Sequence, residues 1–187
     1  MKTQILILLL SASSIVSFAS NPDILTEKAK MLTLITSAWK SEKVNVQIKD
    51  FTGSVILDET VKNGNKVRRY NLKNLPNGNY TLEMSNELKI TVQEFEILGS
   101  QVILSNTLET EYKPVINLFE NHIDLNLMTL GKEASLKILD ETNNVLLTEK
   151  LAGPVVSKRY DFSKLSSGDY AVIVEINGRS YTKSVVK

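Results

Sequence analysis

The chain has 187 residues, a formal net charge of +1, one histidine and no cysteine. Without thiols there is no disulfide framework and no cysteine nucleophile, and one imidazole cannot build a zinc site. The balance of 22 basic against 21 acidic residues gives no electrostatic footing for nucleic acid or an anionic membrane.

Residues 1–19 read as a secretory signal peptide. Lys2 supplies the positive start, Ile5 to Leu10 opens the apolar core, and Ser17-Phe18-Ala19 sets small residues around a cut after Ala19. The segment is too short and serine-rich for a membrane span, so no transmembrane anchor is expected. Cleavage removes Lys2 and leaves 21 residues of each charge. The expected location is secreted or cell-surface, reached through the periplasm. The lack of cysteine also excludes a lipid-anchored amino terminus.

Beyond the signal, Asn21 and Pro22 suggest a helical turn over 22–30. Met31–Trp39 is apolar enough for an opening strand. Val44, Val46 and Ile48 then alternate with polar residues, the period of a half-buried strand. A turn at Asp50–Gly53 leads to a strand over 55–61, and Asn63-Gly64-Asn65 signals another turn. Residues 66–72 lead into Leu75-Pro76-Asn77-Gly78-Asn79-Tyr80, after which Leu82 and Met84, then Leu88, Ile90 and Val92, continue the alternation. A polar stretch at Thr110–Pro114 marks a boundary.

The scheme then repeats. Strands are expected over 115–119, 122–128, 145–150, 155–162, 170–176 and 179–186, with Leu136 and Ile138 in another. Asn177-Gly178 is a hairpin signal. At an offset of 90 residues, Ile48, Asp50, Val55, Leu57, Arg69, Tyr70, Leu75, Gly78 and Tyr80 recur as Ile138, Asp140, Val145, Leu147, Arg159, Tyr160, Leu165, Gly168 and Tyr170. An internal duplication is the simplest account. The expected fold is all-β: two tandem immunoglobulin-like antiparallel β-sandwiches, residues 20–110 and 113–187, after the signal peptide. The organising feature is a structural corner, Gly78 with Tyr80 and Gly168 with Tyr170. Each tyrosine buries its ring and bonds back to the turn, and each glycine is free to take φ > 0.

Candidate chemistry is sparse. His122 needs an orienting carboxylate and a facing serine to form a triad, and its neighbourhood reads as an ordinary strand-start histidine. No nucleophile-elbow, zincin or P-loop spacing occurs. Asp50, Asp140 and Glu141 have the chemistry for Ca²⁺, but side-chain-to-backbone bonding within their own turns is the better reading. Lys66, Arg68, Arg69, Lys158 and Arg159 read as solvated strand faces that discourage edge pairing, with recognition of an anionic glycan as the alternative. Trp39 ends an apolar run and reads as packing rather than a sugar platform. No catalytic residue, metal ligand or cofactor is assigned, and no enzymatic activity is expected.

Asp161 to Tyr170, an alternating strand, a hairpin and Ser184-Val185-Val186-Lys187 together resemble the C-terminal sorting domain of the bacterial type IX (Por) secretion system. Ile138 to Leu146 is similar to that family's preceding hairpin, with Asn143 in place of a glycine. The resemblance covers roughly 115–187, with a weaker echo in 32–96. The whole chain also resembles small secreted tandem sandwich proteins of the same bacteria. The resemblance implies a non-catalytic secreted or surface protein whose partner is the secretion machinery. The alternatives are an adhesion or scaffold module that binds a glycan or protein, and a hydrolase using His122.

Overall fold

The computed structural model describes residues 24–27, 30–39, 42–62 and 67–187. The signal-peptide reading and the Asn63–Asn65 turn lie outside these residues. The described chain is almost wholly antiparallel strand. Unit 1 comprises β1 (Ile24–Glu27), β2 (Met31–Ile35), β3 (Lys43–Asp50), β4 (Val55–Lys62), β5 (Val67–Asn71), β6 (Gly78–Ser85), β7 (Lys89–Leu98) and β8 (Gln101–Tyr112). Unit 2 comprises β9 (Val115–Phe119), β10 (His122–Met128), β11 (Ala134–Leu139), β12 (Val145–Leu151), β13 (Val155–Asp161), β14 (Asp169–Ile176) and β15 (Arg179–Val186).

Each unit is built from two sheets. In unit 1 the orders are β1-β2-β5 and β4-β3-β6-β7-β8; in unit 2 they are β9-β10-β13 and β12-β11-β14-β15. Period-two alternation causes this layering, because successive side chains leave a strand on opposite faces. Val44, Val46 and Ile48 of β3 are buried, as are Tyr170, Val172, Val174 and Ile176 of β14. One core gathers Leu32 and Leu34 of one sheet with Val46, Leu82 and Ile97 of the other. A separate core gathers Ile123 and Leu125 with Leu136, Val172 and Val174.

The pairing registers of the two units coincide at the 90-residue offset. Ile48 faces Leu57 and Leu82, and Ile138 faces Leu147 and Val172. A bulge falls at the matching place in each unit: Ile56 of β4 is the extra residue between the Ile48–Leu57 and Lys49–Val55 pairs, and Leu146 of β12 is the extra residue between Ile138–Leu147 and Leu139–Val145. Tyr80 faces Phe95, and Tyr170 faces Val185.

Three local expectations are corrected. The helical turn over 22–30 gives way to strand β1, whose Ile24–Glu27 pairs with Met31–Leu34; pairing along β2 overrides the local capping signal. The opening strand stops at Ile35, and Thr36–Trp39 is a 3₁₀ turn that buries the Trp39 ring. Unit 1 does not end at 110, because β8 pairs with β7 as far as Tyr112. This strand has no counterpart in unit 2, where β15 is the sheet edge. It escapes a period-two reading because it bulges between Leu104 and Leu108. The buried Gln93 amide holds that bulge, donating to the Ser105 and Thr107 carbonyls at 3.0 and 3.1 Å.

Candidate functional site: the corners and the junction between units

In unit 1 the Tyr80 hydroxyl donates to the Pro76 carbonyl at 2.9 Å, and in unit 2 the Tyr170 hydroxyl donates to the Ser166 carbonyl at 2.7 Å. Both rings are buried. Their aromatic partners differ: Phe95 stacks on Tyr80 at 5.5 Å from β7, whereas Phe162 meets Tyr170 edge-on at 5.4 Å from the corner loop. The glycines also differ. Gly78 has φ +153°, a conformation that side chains rarely adopt. Gly168 does not take positive φ, so the expectation for it is corrected; a Cβ there would sit 3.5 Å from Glu141 Oε2. Its backbone is instead held by Lys187, in reciprocal N–H to carbonyl bonds of 3.0 and 3.2 Å.

A lysine closes each corner. Lys30 Nζ donates to the Leu75 carbonyl at 2.8 Å. In unit 2, Lys187 Nζ donates to the Leu165 carbonyl and, at 3.0 Å, to that of Ser163. Tyr170→Phe is expected to cost about 1–2 kcal/mol, because it leaves the Ser166 carbonyl without its donor. An unchanged urea midpoint would show that the bond carries no net stability.

The acidic turns are internally occupied. Asp50 Oδ1 accepts from the Thr52 and Ser54 amides at 2.9 and 3.0 Å, and from the Thr52 hydroxyl at 2.6 Å. Asp140 Oδ1 repeats this with Thr142 and Asn144, while Asn144 Nδ2 takes Oδ2 at 3.0 Å. Bonds from the Asn144 side chain, then Thr142 and the turn amides, hold the Asp140 carboxyl at about 2, below its ordinary 3.8. Among the described residues no three Asp, Glu or His side chains converge as a metal site. A carboxyl lowered on folding stabilises the native state above its unfolded value, and that contribution is lost as pH falls from about 4 toward 2. Asp140→Ala is therefore expected to flatten the acid limb of stability against pH. Parallel wild-type and variant curves between pH 5 and pH 2 would overturn this.

Lys66 lies outside the described residues; Arg68, Lys158 and Arg159 of the basic clusters are ion-paired. Arg68 and the Tyr70 hydroxyl both donate to Glu59; Lys158 and the Tyr160 hydroxyl both donate to Glu149, at 2.9 and 2.8 Å. These pairs tie β4 to β5 and β12 to β13 at matching positions, closing one side of each sandwich. Arg159 makes a bidentate pair with Asp124, 2.6 and 2.7 Å. That pairing also takes a carboxylate two residues from His122, and Asp161 accepts from the Ser163 amide. His122 itself is half-buried at the start of β10, between Phe119 and Asp161. It is not at a sheet edge, since β10 is the central strand of its sheet. Trp39 is buried, with Lys89 Nζ 4.4 Å from its ring centroid.

Sequence reasoning missed the junction. Arg179 and Tyr181, at the start of β15, reach across to unit 1. Arg179 donates to Glu83 Oε2 at 2.9 Å and lies 3.9 Å from Glu111, and the Tyr181 hydroxyl donates to Glu111 Oε1 at 2.6 Å. Lys49 also donates to Glu83, at 2.9 Å. Burial by itself would raise the Glu83 carboxyl, but bonds from Arg179 and Lys49 outweigh it and leave the carboxyl below the usual range. Burial pushes the Tyr181 phenol well up, and the Glu111 carboxylate adds to this. Glu111 is 6% exposed, and its Oε2 has no hydrogen-bond partner. Beside the junction, a groove of about 1020 Å³ is lined in part by Lys132, Ser135, Lys150, Glu175, Asn177 and Arg179. The contact spans 70 residues, so no local sequence pattern points to it.

No curated protein matches the chain. A solved structure described as "Biofilm associated protein - BSP domain" is similar over 92% of this chain, at 15% identity and a TM-score of 0.31. The chain spans 30% of that structure's length. Among the described residues no helix is long and apolar enough to cross a membrane. The family model falls on unit 1, residues 29–98, rather than on 115–187, where the stronger resemblance was expected; these residues match the secretion system C-terminal sorting domain, which marks a secreted or cell-surface protein.

Proposed function

We propose that this is a non-catalytic protein, exported by the type IX machinery, whose two immunoglobulin-like units arose by duplication of one sorting-domain-like sandwich. The observation that carries the reading is the sorting-domain match over 29–98. The matching registers of unit 2 support extending it to residues 115–186. No hydrogen-bonded constellation around His122 supports a hydrolase, since the Asp124 and Asp161 carboxylates are held by Arg159 and Ser163. A screen of esterase, peptidase and glycosidase activity, with His122→Ala as the control, is expected to find nothing attributable to this side chain.

The export reading is tested with a signal-bearing reporter fused to residues 24–187. It is expected on the surface or in the medium of a host with the type IX machinery, and in the periplasm of a strain without it. Periplasmic retention in both strains would sink the proposal. Separate fusions of residues 24–112 and 113–187 identify the unit that is read.

A second reading, an adhesion or scaffold module for a glycan or protein, draws on the groove beside Arg179. Two like units held in one arrangement offer two like surfaces, and tandem binders gain avidity without new contacts.

A further inference from the structure

In unit 1 the last strand of the larger sheet is β8, which pairs along β7 and packs against β1 of the facing sheet. Val102 and the partly buried Leu104 of β8 belong to the core. In unit 2, β15 stands where β7 stands in unit 1, and among the described residues no strand pairs its outer edge. Unit 1 therefore displays, on its own matching edge, the kind of group that fits this one.

Lys187 exchanges N–H and carbonyl bonds with Gly168, so the alternation of an antiparallel ladder turns the Val185 and Lys183 backbones toward β14 as well. The backbone groups of Thr182, Ser184 and Val186 point outward. Their matches in β7 are Val92, Glu94 and Glu96, of which Val92 faces Glu109 of β8 and Glu96 faces Ile103. Unit 1 covers the start of β15 at Arg179 and Tyr181, so the free slot begins at Thr182. Beside it, Leu118 of β9 aligns with the core residue Ile123 yet is 39% exposed. One charge stands in the slot. Lys183 lies on the core-facing side between Tyr181 and Val185, opposite Val172, where unit 1 has the buried Gln93. It is exposed, and among the described residues no hydrogen bond or ion pair engages it. An unpaired charge on the core-facing side of an edge repels most strands. A strand that sets a carboxylate opposite it is accepted.

We propose that residues 182–187 of unit 2 take an extended segment of a protein partner as a further antiparallel strand. The segment carries aliphatic side chains opposite Val185 and Lys187 and an acidic one opposite Lys183. Backbone bonds to Thr182, Ser184 and Val186 supply affinity, and Lys183 supplies selectivity. The aliphatic positions copy unit 1, where Leu104 faces Phe95 and Val102 faces Ile97. The acidic position answers the one lysine that unit 1 lacks there. The inference stands independently of the export reading.

The probe is a dye-labelled peptide with the sequence of residues 101–107, in which Asn106→Glu sets a carboxylate opposite Lys183 in a bulge-free register. Its control carries Asn106→Lys. Added to the purified chain, the glutamate peptide is expected to bind about tenfold or more tighter than the lysine peptide by fluorescence anisotropy. Lys183→Glu should reverse that order. Hydrogen exchange followed by NMR should slow at the Thr182, Ser184 and Val186 amides when the glutamate peptide is bound. Ser184→Pro removes one outward donor, a change that a sheet edge tolerates, and should abolish binding while leaving the circular dichroism unchanged. No binding at millimolar peptide, equal binding of the two peptides, an order unmoved by Lys183→Glu, or protection elsewhere than residues 182–187 would each overturn the proposal. The peptide comparison and the exchange measurement use the wild-type chain, so both decide the matter even where a variant does not fold.

Discussion

Arg179→Ala is expected to lower stability by about 1–3 kcal/mol and to separate the unfolding of the two units. The size follows from what is left behind. Removing one partner of a buried pair costs about 3–5 kcal/mol, but the Arg179 side chain is 37% exposed, so water makes good part of the loss. Glu83 retains Lys49, whereas Glu111 retains only the Tyr181 hydroxyl, with Oε2 already unpartnered. Two probes check the result. Trp39 is the only tryptophan and is buried in unit 1, so its fluorescence follows that unit; far-UV circular dichroism follows both. Coincident transitions in wild type and divergent ones in the variant are expected. Coincidence in both would show that the junction does not couple the units.

Leu136→Ala should have the larger effect, about 2–5 kcal/mol, as for other fully buried leucines. Leu136 is 0% exposed and belongs to the unit 2 core, which shares no residue with that of unit 1. With the junction intact, the loss should appear in both probes. Combined with Arg179→Ala, it should shift the dichroism transition and leave the Trp39 transition where the single variant puts it. A Trp39 shift in the double variant would mean that the two cores communicate by a route other than Arg179.

The parts of the fold legible in sequence are those set by local geometry. Tyr80 and Tyr170 reveal their corners because the hydroxyl bonds only four residues back. Asn143 takes φ +64° where Gly53 takes +85°, as a side chain tolerant of the left-handed region permits. Other features depend on distant partners. The Asn21-Pro22 signal is locally helical, yet Ile24–Glu27 has β2 to pair with. Gly168 looks like a conformational glycine but serves as a pairing position for Lys187. Glu111 looks like a polar boundary residue, and only the fold brings Tyr181 to it. The basic residues read as solvated because their acidic partners, Glu59, Glu149 and Asp124, sit on other strands.

The two corner lysines also set an order in time. Lys30 precedes the Leu75 carbonyl that it closes by 45 residues, whereas Lys187 follows the Leu165 carbonyl by 22. A chain delivered amino end first through a pore therefore already holds the closing group for unit 1 when its corner emerges. Unit 2 must wait with its corner unlatched until Lys187 has passed. The two sandwiches thus share a register but differ in vectorial readiness: the first is able to fold behind the advancing chain, and the second completes its corner only after Lys187 has followed it.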